Sequence, residues 1–405
     1  MNIPFSPPYI DQDIINEVIA TLESGWITTG PKVKALEEEV CALTQVSHAL
    51  CVNSWTSGAM LMLKWFGIKP GDEVIVPAYT YSATALAILH CGATPVMVDI
   101  NEDFTIDLKK IRQKITLRTK VIMPVDIAGW PCDYEAINKL VSETSIHSLF
   151  TPEHHNQEKL GRILVLSDAA HSIGAKVLGV ETGKLTDITI FSLHAVKNVT
   201  SAEGGVICIN LPAPFNNADV YAYLRLMTLN GQTKDAFTKT KAGGWRYDIV
   251  DLGMKINMPD VLAAIGLAQI RKYDSQLLKE RKRIFDHYSS LFSRYSWAHL
   301  PPQDTDKVQS SYHLYALRIN DITEAQRDRM IELIATEGVA VNVHFIPMPM
   351  LTLFKNLGYK IEDYPAAYAN YACEISLPIY PQLSPEQVLY IVGSICKAYQ
   401  QVQTV

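Results

Sequence analysis

Lys197 stands just after an apolar run (residues 188–193), within Ser192-Leu193-His194-Ala195-Val196-Lys197-Asn198. Asp168 closes the apolar run before it, in Ser167-Asp168-Ala169-Ala170-His171. An amine and a carboxylate at the ends of two successive strands can face one cleft. A third feature lies upstream, where the run 49–52 leads into Asn53-Ser54-Trp55-Thr56-Ser57-Gly58 and then a helical stripe. A strand, a small polar turn and a helix start make an anion site, because the first helical amides lack partners and the helix dipole favours negative charge. Tyr81 follows the run 74–76 and offers an aromatic face. Each feature has an ordinary alternative when taken alone. Lysine after a strand is most often solvated, and aspartate there is as readily a cap. Ser54 or Thr56 would serve as an N-cap, and Tyr81 as a core aromatic.

Together these four features are the parts that pyridoxal phosphate chemistry requires. A lysine amine forms the Schiff base and then shuttles a proton, and a carboxylate keeps the pyridine nitrogen protonated. A helix N-terminus holds the phosphate and an aromatic side chain covers the ring. The usual competing signatures are missing. There is no G-x-G-x-x-G, G-x-S-x-G or H-E-x-x-H. Gly179-Val180-Glu181-Thr182-Gly183-Lys184 has three residues between its glycines and is followed by Leu185, so it reads as a turn rather than a P-loop. Glu153-His154-His155 fits no zinc spacing and reads as solvated loop; no metal site is expected. Seven cysteines without a C-x-x-C spacing read as reduced thiols.

The elements that must position these groups follow from the pattern of apolar residues. Short apolar runs at 49–52, 74–76, 95–98, 121–125, 163–166, 188–193 and 206–209 alternate with helical stretches. Several are apolar throughout, as expected of strands covered on both faces. This predicts an α/β domain over residues 1–250 with a mostly parallel seven-stranded sheet flanked by helices, and ligands at the carboxyl ends of its strands. From residue 251 the pattern changes to long helices with strand-like pieces at 314–319 and 339–345, which predicts a smaller α+β domain over 251–405. The polar stretch 142–159 reads as a surface excursion. In the 405-residue chain, 36 basic against 42 acidic residues give a net charge of −6, which argues against a nucleic-acid footprint or a membrane-binding basic patch. The apolar content of 48% suits a sizeable core. With no cationic, apolar leader and no long apolar span, a cytoplasmic protein is expected.

Arranged in this order, the motifs resemble the DegT–StrS family of sugar aminotransferases, pyridoxal phosphate enzymes of fold type I. The blocks run from Trp26-Ile27-Thr28-Thr29-Gly30-Pro31, through Pro70-Gly71-Asp72-Glu73 and Gly92-Ala93-Thr94-Pro95, to Ile375-Ser376-Leu377-Pro378. The resemblance implies that Lys197 is the Schiff-base lysine and Asp168 the partner of the pyridine nitrogen. It puts His171 at the ring hydroxyl, Ser192 and the amides of Trp55 and Thr56 on the phosphate, and Tyr81 on the ring face. Asn257 would also serve the cofactor, while Thr29, Lys255 and His344 would contact substrate. Relatives that dehydrate sugars carry His in place of Lys197, so the lysine favours amino transfer. A dehydratase and a non-catalytic ligand-binding relative remain as alternatives.

The implied reaction takes an amino group from an amino acid, glutamate, to a nucleotide-linked keto sugar. Lys255-x-Asn257, where many relatives have Asn-x-Arg, points to the 4-keto branch. Family members are homodimers in which a segment like Gly253-Met254-Lys255-Ile256-Asn257-Met258 completes the neighbour's site. Trp55 replaces a residue that is small in many relatives, and Pro349 stands where many have a second His. The stretch 142–159 has no counterpart in shorter members.

Overall fold

The apolar runs become strands because helices cover both of their faces. They are β1 (His48–Val52), β2 (Glu73–Pro77), β3 (Thr94–Val98), β4 (Thr119–Ile122), β5 (Leu164–Asp168), β8 (Ile188–Ser192) and β9 (Gly205–Ile209); a short hairpin, β6 (Lys176–Val177) and β7 (Val180–Glu181), interrupts the series. The structure, a computed structural model, describes residues 1–233 and 246–403. The seven long strands form one sheet in the order β1-β9-β8-β5-β4-β2-β3. Pairing is parallel from β8 through β3, and β9 alone runs antiparallel, between β1 and β8. The mostly parallel seven-stranded sheet is thus as expected. In β9, Val206 and Cys208 enter one core while Ile207 and Ile209 enter the other. That alternation over two buried faces is why the run is apolar at every position.

Four helices near the N-terminus frame the sheet: α1 (Gln12–Glu23), α2 (Pro31–Thr44), α3 (Trp55–Trp65) and α4 (Ala83–His90). Asp11 caps α1 by accepting from the Ile14 N–H. The cap of α2 comes from far along the chain: Asp260 accepts from the N–H groups of Gly30, Lys32 and Val33. The helix Asp260–Lys272 thereby locks onto α2 and also packs on α1.

The later part of the chain builds β10 (Ala298–His299), β11 (Val308–Gln309), β12 (Tyr315–Ile319) and β13 (Glu374–Leu377). β10, β12 and β13 make an antiparallel sheet, and β11 joins the β6–β7 hairpin. The helices Leu278–Phe292, Glu324–Thr336 and Pro385–Gln403 accompany them.

Two expectations are corrected. The piece 339–345 is not a strand. It makes single bridges, Ile3 to Val339 and Asn342 to Ser376, and its backbone is otherwise held by side chains such as Glu374 and Tyr79. The stretch 142–159 is largely exposed, but it is not a plain loop: it contains the short helices Thr144–His147 and His155–Leu160. Gln157 donates to the Phe66 carbonyl at 2.9 Å and Asn156 to the Trp65 carbonyl at 2.7 Å. Both amides are buried and satisfy carbonyls that the end of α3 leaves open. Among the described residues no helix is long and apolar enough to cross a membrane, and no three His, Cys, Asp or Glu side chains gather as a metal site.

Candidate active site

A cavity of about 540 Å³ opens at the carboxyl ends of the parallel strands. Trp55, Thr56, Tyr81, Asp168, His171, Ser192, Lys197 and His344 all line it. The carboxyl ends of β1, β2, β5 and β8, with the segments that follow them, deliver seven of these eight; His344 arrives from the segment before β13. Sequence residues spread over almost three hundred positions are thus brought to one wall.

The floor is built from β5 and β8. Asp168 Oδ2 accepts from the Thr84 hydroxyl at 2.7 Å and Oδ1 from the Ala170 N–H at 3.2 Å. Burial drives its carboxyl up to about 7, with those hydrogen bonds and Lys197 pulling the other way. Burial lowers Lys197 to about 8, against the attraction of Asp168. Both shifts have one cause, since each charge has lost water without gaining a close ionic partner. Among the described residues no cation lies within ion-pair distance of Asp168.

One end of the cavity is the N-terminus of α3. Ser54 caps the helix by accepting from the Ser57 N–H at 3.1 Å, which leaves the earlier amides of Trp55 and Thr56 beside the cavity. The Trp55 indole does not fill the cavity; it is buried and donates to the Ile190 carbonyl at 3.1 Å. Gly205 at the start of β9 makes this corner possible, because a Cβ there would sit 2.8 Å from backbone atoms of Ser54 and Trp55. Ser192 completes the corner, its hydroxyl 3.4 Å from the His194 N–H.

Histidines form the far wall. His171 Nδ1 accepts from the Ala128 N–H at 3.2 Å, which fixes the neutral tautomer with hydrogen on Nε2. Burial keeps His171 well below the usual imidazole range. His313, absent from the sequence-based set, packs on it with ring centroids 4.2 Å apart and is held by Asn198 at 2.8 Å. Its only sequence signal is a histidine placed immediately before the β12 run. Thr84 and Phe345 were missed as well; Phe345 lies 5.8 Å from both the His171 and Tyr81 rings. Tyr81 is 63% exposed, so its face is open to a ligand rather than spent in the core.

Three expected residues lie outside the cavity. Asn257 donates to the Thr29 hydroxyl at 2.6 Å, and Thr29 donates to the Met258 carbonyl at 2.6 Å. Lys255 is on the same segment, bridged to Leu229.

These parts fit a phosphorylated, cationic-ring coenzyme: free helix amides at one end, a buried carboxylate lacking a cation at the other, and an amine between. Sheet, lysine and aspartate define an enzyme with the fold of pyridoxal-phosphate-dependent transferases. The chain belongs to the DegT/DnrJ/EryC1/StrS aminotransferase family, whose model matches residues 8–151 and 155–396. It is similar to a solved putative sugar aminotransferase, Spr1654 of Streptococcus pneumoniae. In the PMP form the two share 43% identity over 100% of this chain and 99% of that one, with a TM-score of 0.94; the PLP form gives 42% identity and 0.94, covering 99% and 100%. Among curated relatives, the spore coat polysaccharide biosynthesis protein SpsC of Bacillus subtilis is 35% identical, over 97% of this chain and 96% of its own. The UDP-4-amino-4-deoxy-L-arabinose–oxoglutarate aminotransferase of Shewanella sediminis is 31% identical, over 97% of each.

Proposed function

We propose that this chain is a pyridoxal-phosphate-dependent aminotransferase carrying an amino group from glutamate to a nucleotide-linked keto sugar, of the 4-keto-6-deoxy type. The observation that carries the reading is the shared cavity of Lys197 and Asp168 beside the open amides of α3. The bound coenzyme supplies an aldehyde that condenses with amines and a ring that withdraws electrons. The chain supplies the rest. Trp55 and Thr56 amides and the Ser192 hydroxyl bind the phosphate. Asp168 pairs with the protonated ring nitrogen and, in a water-poor site, holds that positive charge through the transition state. His171 offers its Nε2 hydrogen to the ring hydroxyl, and Tyr81 lies on the ring face. Lys197, its proton loosened by burial, takes the proton from the donor's α-carbon and returns one on the acceptor side.

The 4-keto part of the assignment is supported by the 4-amino sugar in the name of the Shewanella relative and by Lys255 and Asn257. Oxoglutarate in that name supports glutamate as donor. The reading also pairs two copies of the chain as a homodimer in the cytoplasm. Thr29, Lys255 and Asn257, which lie outside their own cavity, would then serve the neighbouring one. Leu252, 89% exposed beside that segment, suits burial by a second copy. A panel of nucleotide-linked 4-keto and 3-keto sugars, assayed with glutamate for oxoglutarate release and amino-sugar formation, tests the assignment. Amination of 3-keto sugars alone would refute the 4-keto part; release of a deoxygenated sugar without oxoglutarate would refute amino transfer.

A further inference from the structure

His344 is held at every polar point but one. Its N–H donates to Glu374 Oε2 at 3.1 Å, its carbonyl accepts from the Tyr79 hydroxyl at 2.6 Å, and its Nδ1 lies 2.9 Å from Ser376 Oγ. Phe5 stacks on the ring with centroids 5.4 Å apart, and Phe345 meets it edge-on at 4.9 Å. Ser376 Oγ is itself 2.5 Å from Glu374 Oε1. Glu374 and Ser376 alternate on one face of β13, which is why both reach the same ring. The remaining polar atom is Nε2, on a residue that lines the cavity.

Ser376 has one hydroxyl hydrogen, so the line from Glu374 to His344 has two complete arrangements. With Glu374 ionised, the serine donates to the carboxylate, Nδ1–H donates to the serine, and Nε2 is a bare acceptor. With Glu374 protonated, the acid donates to the serine, the serine donates to Nδ1, and Nε2 carries hydrogen.

We propose that Glu374, acting through Ser376, sets which nitrogen of His344 bears its proton, and thereby presents Nε2–H to an oxygen of the bound keto sugar. Glu374 and Ser376 are then positioning residues, and the sugar contact rests on the function proposed above. The surroundings agree. Burial raises Glu374 to about 8, so the acid form holds at neutral pH. Burial and Lys197 lower His344 to about 3, so its ring is neutral there. The charged or titratable groups facing Glu374 are Arg327, Arg318, Tyr79 and Cys373; those facing His344 are Lys197, His171 and His313.

Nitrogen-15 shifts of the His344 ring in the full chain read the tautomer with no substrate present. The wild type should carry hydrogen on Nε2 well below pH 8 and on Nδ1 well above it. Glu374→Gln, whose amide donates to Ser376 as the acid does, should keep hydrogen on Nε2 at both. Ser376→Ala should abolish the pH response. With donor and acceptor supplied, the wild type should lose rate in the sugar half-reaction as pH rises through about 8, while Glu374→Gln keeps its rate. Ser376→Ala should slow the sugar half-reaction roughly tenfold more than the glutamate half-reaction. A His344 tautomer that ignores pH in the wild type, or that titrates equally in Glu374→Gln, overturns the proposal. If the switch is present but no keto sugar reacts, the relay stands and the functional reading falls.

Discussion

Asp168 and Lys197 enter one cavity from adjacent parallel strands: Asp168 ends β5 and lies across from Ile190 of β8, and the chain leaving β8 turns Lys197 toward it. Sheet register therefore fixes the acid, whereas the amine sits in the turn after β8, closed by the Lys197 N–H donating to the His194 carbonyl at 2.9 Å. Under the function proposed above, one flat, charged ring would touch both.

Lys197→Ala should abolish transamination and the visible absorbance of protein-bound coenzyme. Circular dichroism should show the fold intact, because Lys197 makes no ion pair on which packing depends. Turnover at the wild-type rate would remove Lys197 from its assigned place.

Asp168→Asn should weaken coenzyme binding and slow both half-reactions. It also carries a stability signature in the coenzyme-free protein. The native carboxyl titrates near 7 but near 3.8 when unfolded, so the native state binds the extra proton and stability falls as pH rises between those values. The neutral amide escapes that loss. Asp168→Asn should therefore gain on the wild type between pH 4 and 7, by at most about 4 kcal/mol above that window. Urea titrations at several pH values measure it, and a difference independent of pH would contradict the burial argument.

Gly205→Ala should loosen the corner at the start of α3. The added methyl meets backbone, which cannot swing aside, so β9 or the start of α3 must shift. The expected cost is about 1–3 kcal/mol of stability together with a lower affinity for the coenzyme, read by thermal melts and by titration.

Gln157→Ala should remove the donor that closes the end of α3 at Phe66. A buried carbonyl left open costs about 1–3 kcal/mol. The melting temperature should drop while kcat, once the protein is folded, stays close to wild type. A large fall in kcat without loss of stability would assign the 142–159 segment a role beyond capping.

Mixing Lys197→Ala subunits with Asn257→Ala subunits tests the shared site. If each cavity takes Asn257 from its neighbour, random reassortment restores about a quarter of wild-type activity, because half the dimers carry one complete site. Two inactive proteins that stay inactive on mixing would place Asn257 with its own chain.

Much of the framework was legible in the sequence because both faces of the sheet are buried, and burial writes itself as unbroken apolar runs. The runs ending at Asp168 and Ser192 became β5 and β8 with the polar residues at their carboxyl ends. Elsewhere the pattern misled. Residues 339–345 look like a strand, yet beyond single bridges at Val339 and Asn342 their backbone is held by the side chains of Glu374 and Tyr79, which no periodicity reveals. Residues 142–159 look solvated, yet Asn156 and Gln157 are buried because polar groups are what an open helix end needs.

The sequence by itself determined the chemical parts: an amine, a carboxylate, a helix start with open amides and an aromatic face, each tied to a recognisable local pattern. Only the tertiary structure decided which other groups act on them. Thr84 on Asp168, His313 against His171, and Glu374 through Ser376 on His344 are contacts between segments distant in the chain. Local spacing constrains residues a few positions apart, whereas these pairs are set by how strands and turns stack in three dimensions.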